Sequence, residues 1–303
     1  MHFIVTGGAG FIGNHLVRHL LGRGHSVEVI DNLHSGRMEN LEGLDNDIKF
    51  HKIDILEYDK LKNIVKNADG VFHEAALTVV QESYDKPKEY HMVNVVGTEN
   101  IFKLAKEFGF KVVYASSSSV YGNPEKIPIR ENAPRKPLNP YGETKLQDEL
   151  LAEKYSREGV TIIGLRYFNV YGKGQTLSYA GVITKFLDRL KEHNPPIING
   201  EGSQVRDFVY VKDVAEANLL AMEKKIDSCF INVGTGKIIS ILDLANMMID
   251  VAGMQVKPIH GKPLEGDVKE SQADINFARK TLNWEAKMEL RDWLVQILSP
   301  KKI

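Results

Sequence analysis

Thr6-Gly7-Gly8-Ala9-Gly10-Phe11-Ile12-Gly13 is the stretch that decides the fold. The apolar run Phe3-Ile4-Val5 precedes it, and Ile12, Leu16 and Leu20 mark one face of a helix that follows. Gly7, Gly10 and Gly13 therefore lie between a strand and a helix, spaced G-x-x-G-x-x-G. Glycine at those places permits a tight turn and lets backbone N–H groups approach a pyrophosphate, whose charge the helix N-terminus favours. An ordinary glycine-rich turn competes with that reading. The strand before the motif, and a second strand ending at Asp31, favour a dinucleotide site.

The pattern continues outward from the glycines. Short β-branched runs predict strands at Phe3–Val5, Ser26–Ile30, Ile48–Ile53, Gly70–His73, Lys111–Ala115 and Thr161–Leu165. Helical periodicity lies between several of them, as at Tyr90, Val93, Ile101 and Leu104. Continuous apolar runs alternating with helices imply a parallel sheet covered on both faces. The expected architecture is α/β: a Rossmann-type, doubly wound parallel sheet over residues 1–168, with returns near 206–236, and a smaller, mostly helical lobe over 169–303. Helices are expected there at Val182–Leu190, Val211–Met222, Ser240–Val251 and Leu290–Leu298.

Bulk composition narrows the function. A formal net charge of −1 provides no global field towards nucleic acid or membrane, so an anionic ligand needs local cations. A single cysteine, Cys229, excludes an internal disulfide and a thiolate metal cluster, and no metal site is expected. No stretch is long and apolar enough to span a bilayer, and no basic segment precedes the first apolar run, so a cytoplasmic protein is expected.

Asp31 lies 18 residues beyond Gly13, where a carboxylate can accept both ribose hydroxyls of NAD and repel a 2′-phosphate. Asp31-Asn32 is also good turn chemistry, and Arg37 nearby is a mild signal for the phosphorylated cofactor. Asp54-Ile55 follows the third strand, where it can either meet the adenine or cap the helix from Tyr58. After the fourth strand, Ala75-Ala76 would let backbone lie against the cofactor, whereas His73 reads as a core histidine.

Tyr141 and Lys145 are spaced Y-x-x-x-K on a helix opened by Pro140, which puts both side chains on one side, one turn apart. A free tyrosine, with pKa near 10, is only about 0.1% phenolate at neutral pH. A neighbouring ammonium favours the anion, so the pair can act as a general base near pH 7. The spacing alone is common; its position after the fifth strand gives it weight. Ser116-Ser117-Ser118-Ser119 follows that strand, where a hydroxyl can hydrogen-bond the substrate oxygen that the tyrosine deprotonates. A flexible polar loop is the alternative, and at most one or two of the serines can be catalytic.

These motifs, together with R-Y-F-N-V-Y-G at Arg166–Gly172 and R-D-F-V-Y-V-x-D-V at Arg206–Val214, resemble the extended short-chain dehydrogenase/reductases, specifically the nucleotide-sugar epimerases and dehydratases. The likeness covers nearly the whole chain. It implies NAD as cofactor, held by Gly7, Gly10, Phe11, Ile12, Gly13, Asp31, Asn32, Asp54, Ile55, Ala75, Ala76, Tyr141 and Lys145. It implies Ser117 as the catalytic Ser/Thr, Tyr141 as acid/base and Lys145 as its activator. Asn169 and Arg206 match positions that hold a nucleotide diphosphate; the latter also suits bidentate phosphate bonding, although Arg206-Asp207 could be a local ion pair. Ser118, Val182, Asn199, Gln204, Asp267 and Ser271 complete the implied substrate shell. A homodimer is implied through helices near Pro87–Phe108 and Tyr141–Arg157.

The resemblance also separates reactions. Family dehydratases carry Asp-Glu just after the catalytic threonine, and decarboxylases usually a Glu at the second place; here Ser118 and Ser119 stand there. The implied reaction is C4 epimerisation of a UDP-hexose through a transient 4-keto sugar, with UDP-glucuronate or GDP-sugar epimerases as relatives on the same scaffold. A non-catalytic NAD sensor would tend to lose Tyr141 and Lys145, and an RNA-binding relative would show a basic face. One departure is Leu264, where the family often has a diphosphate-binding arginine; Lys262 or another cation would have to compensate. Ser271 falls where a small residue tolerates an N-acetyl group.

Overall fold

The computed structural model describes residues 1–175, 181–264 and 266–298. Six strands arise where the apolar runs predict them: β1 His2–Thr6, β2 Ser26–Asp31, β3 Ile48–Lys52, β4 Gly70–His73, β5 Lys111–Ser117 and β6 Ile162–Tyr167. After three short strands in the second lobe (β7 Asn169–Tyr171, β8 Ile197–Asn199, β9 Val205–Arg206) and β10 Phe208–Tyr210, the chain returns as β11 Cys229–Val233. The central sheet runs β11-β6-β5-β4-β1-β2-β3, parallel throughout. Its order reverses between β1 and β4, and ligands of open α/β sheets bind outside the strand C-termini at such a switch point.

Alternation along β1 explains its continuous apolar run. Phe3 and Val5 join one core with Leu16, Val17 and Leu20, while Ile4 joins the opposite core with Val71, Ile101 and Leu104. Predicted helices form at Val182–Lys191, Val211–Glu223, Ile241–Val251 and Leu290–Leu298. Ile183, Phe186, Leu244, Met248 and Trp293 pack into a separate core of the second lobe.

Three local differences from the sequence reading matter for the site. β5 extends two residues beyond Ala115, because β6 offers continuing parallel partners to Ser116 (Arg166) and Ser117 (Tyr167). The first two serines are therefore strand, not loop. The helical run from Pro87 to Phe108 contains a π turn at His91–Val96. Within it, buried Asn94 accepts from the Leu77 N–H at 2.8 Å and donates to the Leu77 carbonyl and to Thr144 Oγ1, each at 3.0 Å. Finally, Asp54 does not cap the helix at Tyr58: its carboxylate accepts from the Leu56 N–H at 2.9 Å and from Asn32 at 2.8 Å.

Candidate active site

A single cavity of about 710 Å³ runs along the strand C-termini and into the second lobe. One end is built by the glycine turn. Gly7 has φ +68°, and a Cβ there would meet the Ala75 nitrogen at 2.7 Å. A Cβ on Gly13 would meet the Gly7 carbonyl oxygen at 2.1 Å. Side chains at either place would close the turn, so the glycines hold it open against β4 for a ligand's phosphates. Phe11, Ile12, Asn32, Asp54, Ile55, Ala75 and Ala76 line the same end. Asp31, at the end of β2, accepts backbone N–H bonds from Ala9 (3.0 Å) and Leu33 (2.8 Å). Burial raises its pKa and these two bonds oppose the rise. A buried carboxylate fits a ribose diol and disfavours a 2′-phosphate. The residues present thus fit an unphosphorylated dinucleotide.

The middle of the cavity holds Ser117, Ser118, Tyr141 and Lys145. Their helix, Pro140–Arg157, is started by Asn139, whose side chain accepts from the Gly142 N–H at 2.8 Å, with Pro140 in the first turn. The Tyr141 N–H donates to Ser83 Oγ at 3.1 Å, which pins the tyrosine's turn to a neighbouring helix. Tertiary contacts also sort the serines. All four serines border the cavity; Ser116 donates to Glu149 at 2.7 Å, whereas Ser117 accepts from the Ser119 N–H at 3.1 Å and is not tied to that carboxylate. Lys145 is buried against Asp148, its Nζ 3.1 Å from Oδ2. Burial disfavours its ammonium, yet Asp148, Tyr141 and Glu74 outweigh that and its pKa is raised. His73 is a core histidine: its ring lies between Thr6 (2.7 Å) and Thr98 (2.9 Å), and burial pushes its pKa down to about 3, which keeps it neutral.

Glu74, between His73 and Ala75, has no role in the sequence reading. It lines the cavity, accepts from Tyr167 at 2.8 Å, and has its other oxygen unpartnered among the described residues. Burial raises its pKa to about 7. A carboxylate placed between a strand end and Ala75-Ala76 was the available signal. Asp148 was missed too, although its place three residues after Lys145 puts it on the same helical side.

The far end of the cavity carries Asn169, Val182, Asn199, Arg206, Asp267 and Ser271. Arg206 pairs with Asp267, not Asp207, and donates to its neighbour's carbonyl, Val205, at 2.8 Å. Asp207 is held separately by Thr235, Gly236 and Ala273. Burial lowers the Arg206 pKa against the pull of Asp267. Gln204 does not line this cavity; its amide donates to the Asn199 carbonyl at 3.1 Å and lies 3.4 Å from Asp267, behind two residues that do. Leu264 lines the wall where a second cation was sought, Lys262 does not, and Lys185 does.

Sheet order, glycine turn and cavity together define a dinucleotide-binding α/β protein of the short-chain dehydrogenase/reductase class. The model of the NAD dependent epimerase/dehydratase family matches residues 3–234. The chain belongs to that family and is an enzyme of it. It is 38% identical over 301 residues, covering 98% of this chain and 97% of the relative, to a putative UDP-glucose 4-epimerase of Methanocaldococcus jannaschii. Among solved structures it is similar to a UDP-N-acetylglucosamine 4-epimerase from Methanobrevibacter ruminantium in complex with UDP-N-acetylmuramic acid. There the TM-score is 0.92 and the identity 35%, covering 98% of this chain and 96% of that one. It is also similar to a UDP-glucuronic acid 4-epimerase from Bacillus cereus solved with UDP-glucuronic acid and NAD. The TM-score is 0.91 and the identity 32%, over 97% and 96% of the two chains. Among the described residues no helix is long and apolar enough to cross a membrane, and no His/Cys/Asp/Glu group could hold a metal ion.

Proposed function

We propose that this enzyme interconverts UDP-hexoses at C4. The observation that carries the reading is one continuous cavity that brings Asp31 and the glycine turn, then Ser117, Tyr141 and Lys145, then Asn169 and Arg206 to a common lining. NAD, when bound, supplies the acceptor and then the donor of the C4 hydride. Gly7, Gly10, Phe11, Ile12, Gly13, Asp31, Asn32, Asp54, Ile55, Ala75 and Ala76 hold it. Tyr141 takes the C4 hydroxyl proton and later returns it, Ser117 hydrogen-bonds the same oxygen, and Lys145 favours the phenolate. Arg206 exchanges Asp267 for the diphosphate, with Asn169 beside it and Lys185 as the cation on the Leu264 side. The cavity would have to admit a 4-keto sugar in two orientations, with either face turned to the cofactor end. Ser118 and Ser119 provide no carboxylate for elimination. Ser271, buried and small, leaves room for an N-acetyl group.

The test is incubation with catalytic NAD and, separately, UDP-glucose, UDP-N-acetylglucosamine and UDP-glucuronate, with products resolved by NMR. A galacto product without net NADH is expected from at least one of the first two. Conversion of UDP-glucuronate alone would move the assignment to a uronate epimerase; a net consumption of NAD would remove epimerisation. Asp31→Ala should bring NADP affinity to within about tenfold of NAD affinity, by removing the charge that repels the 2′-phosphate; an unchanged preference takes Asp31 out of the cofactor site. A homodimer is part of the same reading: Met92 and Leu150, 45% and 50% exposed, lie on the two helices in question. Sedimentation of a monomer at micromolar concentration would discard it.

A further inference from the structure

Asp148 belongs to no role assigned so far, yet it is the nearest charge to Lys145. The two side chains are 4% and 0% exposed, and Lys145 Nζ lies 3.1 Å from Oδ2. Oδ1 has no hydrogen-bond partner among the described residues. Burial raises the Asp148 pKa to about 7, against the pull of Lys145 and of a hydrogen bond with Thr98 that favour the charged carboxylate. Thr98 in turn meets His73 at 2.9 Å, and His73 meets Thr6 at 2.7 Å, directly before the glycine turn. A carboxylate this deep is costly unless it is compensated, and the ammonium of Lys145 is its one cationic partner among the described residues.

We propose that Asp148 is a positioning residue for the acid–base pair: its carboxylate anchors the Lys145 ammonium and offsets part of the field that Lys145 imposes on Tyr141. The inference rests on Tyr141 and Lys145 acting as that pair. The other groups around the ion pair are few. Tyr141 and Glu149 share its helix, His73 faces it from β4 and Glu74 from just beyond that strand, Thr98 from the Gly97–Phe108 helix, and Tyr114 from β5. His73 is neutral and Glu149 is paired with Arg166 on β6. Asp148, in its ionised form, is thus the anion in direct contact with Lys145. Removing an anion lowers the proton affinity of every nearby group. The phenol and the ammonium must both move down, so both limbs of the pH profile must move the same way.

The experiment compares wild type, Asp148→Asn and Asp148→Glu as NAD-saturated full-length protein. Asp148→Asn keeps the shape and removes the charge. Both limbs of kcat/KM against pH are expected to shift down by about one pH unit. The Tyr141 phenolate, read by near-ultraviolet absorbance after subtraction of matching Tyr141→Phe proteins, is expected to titrate lower by the same amount. Asp148→Glu should restore the wild-type limbs. A folded Asp148→Asn with unmoved limbs and an unmoved phenolate titration overturns the proposal, whatever its melting temperature. If Asp148→Asn does not fold, Thr98→Val weakens the same carboxylate and should give a smaller shift of the same sign; no shift overturns the proposal. The absorbance titration needs no turnover, so a wrong substrate assignment leaves it readable.

Discussion

Tyr141→Phe is expected to leave NAD binding unchanged and to lower kcat by about 10²- to 10⁴-fold, the range for losing a positioned general acid–base. The ring stays, so the packing at the start of the Pro140–Arg157 helix is kept. That start depends on Asn139 accepting from Gly142 and on the Tyr141 N–H donating to Ser83, and the mutation touches neither. Only the hydroxyl is lost, which in the proposed role exchanges a proton with the C4 oxygen. The effect should therefore fall on kcat, with KM within about threefold of wild type. NAD affinity, measured by fluorescence quenching, is the control. Near wild-type turnover would end the acid–base assignment. A large loss of NAD affinity would place the hydroxyl in cofactor binding instead.

The second large effect is on stability. Glu149→Leu should cost about 3–5 kcal/mol, because it leaves the guanidinium of Arg166 buried without its carboxylate. Arg166 is 2% exposed and Glu149 fully buried; they make paired bonds of 2.7 and 2.8 Å. Burial works against the Arg166 charge, yet Glu149 and Tyr121 hold its proton more tightly than usual. The same glutamate accepts from Ser116 and pairs with Arg135. It thus ties the Pro140–Arg157 helix to the end of β5, one residue before Ser117. Denaturant unfolding measures the loss, and a cost below about 1 kcal/mol would show that the pair is not what holds these elements together. Glu149→Leu/Arg166→Met should recover much of the stability, since replacing both charges removes the uncompensated one.

The fold was legible because its signals are local. The glycine turn of Gly7 to Gly13 is dictated by backbone room within a few residues, and the apolar runs of β1, β4 and β5 face a core on both sides. Strand β11 was harder to read. Cys229-Phe230-Ile231-Asn232-Val233 follows a helix in the second half of the chain, and what makes it a strand is the free edge of β6. The helical spacing of Tyr141 and Lys145 was equally local, so that pair was legible too.

Contacts between distant segments were not. The sequence offers four serines after Ala115; the buried carboxylate of Glu149, 33 residues on, engages Ser116 and not Ser117. Arg206 and Asp207 are adjacent, but their partners lie 61 residues away at Asp267 and on the Thr235–Gly236 turn. Glu74 becomes a buried acid only because Tyr167 closes over it from β6. By itself the sequence determined the turn that opens the cofactor end, the strands of the sheet and the helical spacing of Tyr141 and Lys145, since each depends on torsions and spacings within one or two turns of chain. Tertiary structure alone decided which charges are buried and with what partner, because desolvation and pairing depend on what packs across the sheet, not on what stands next in the chain.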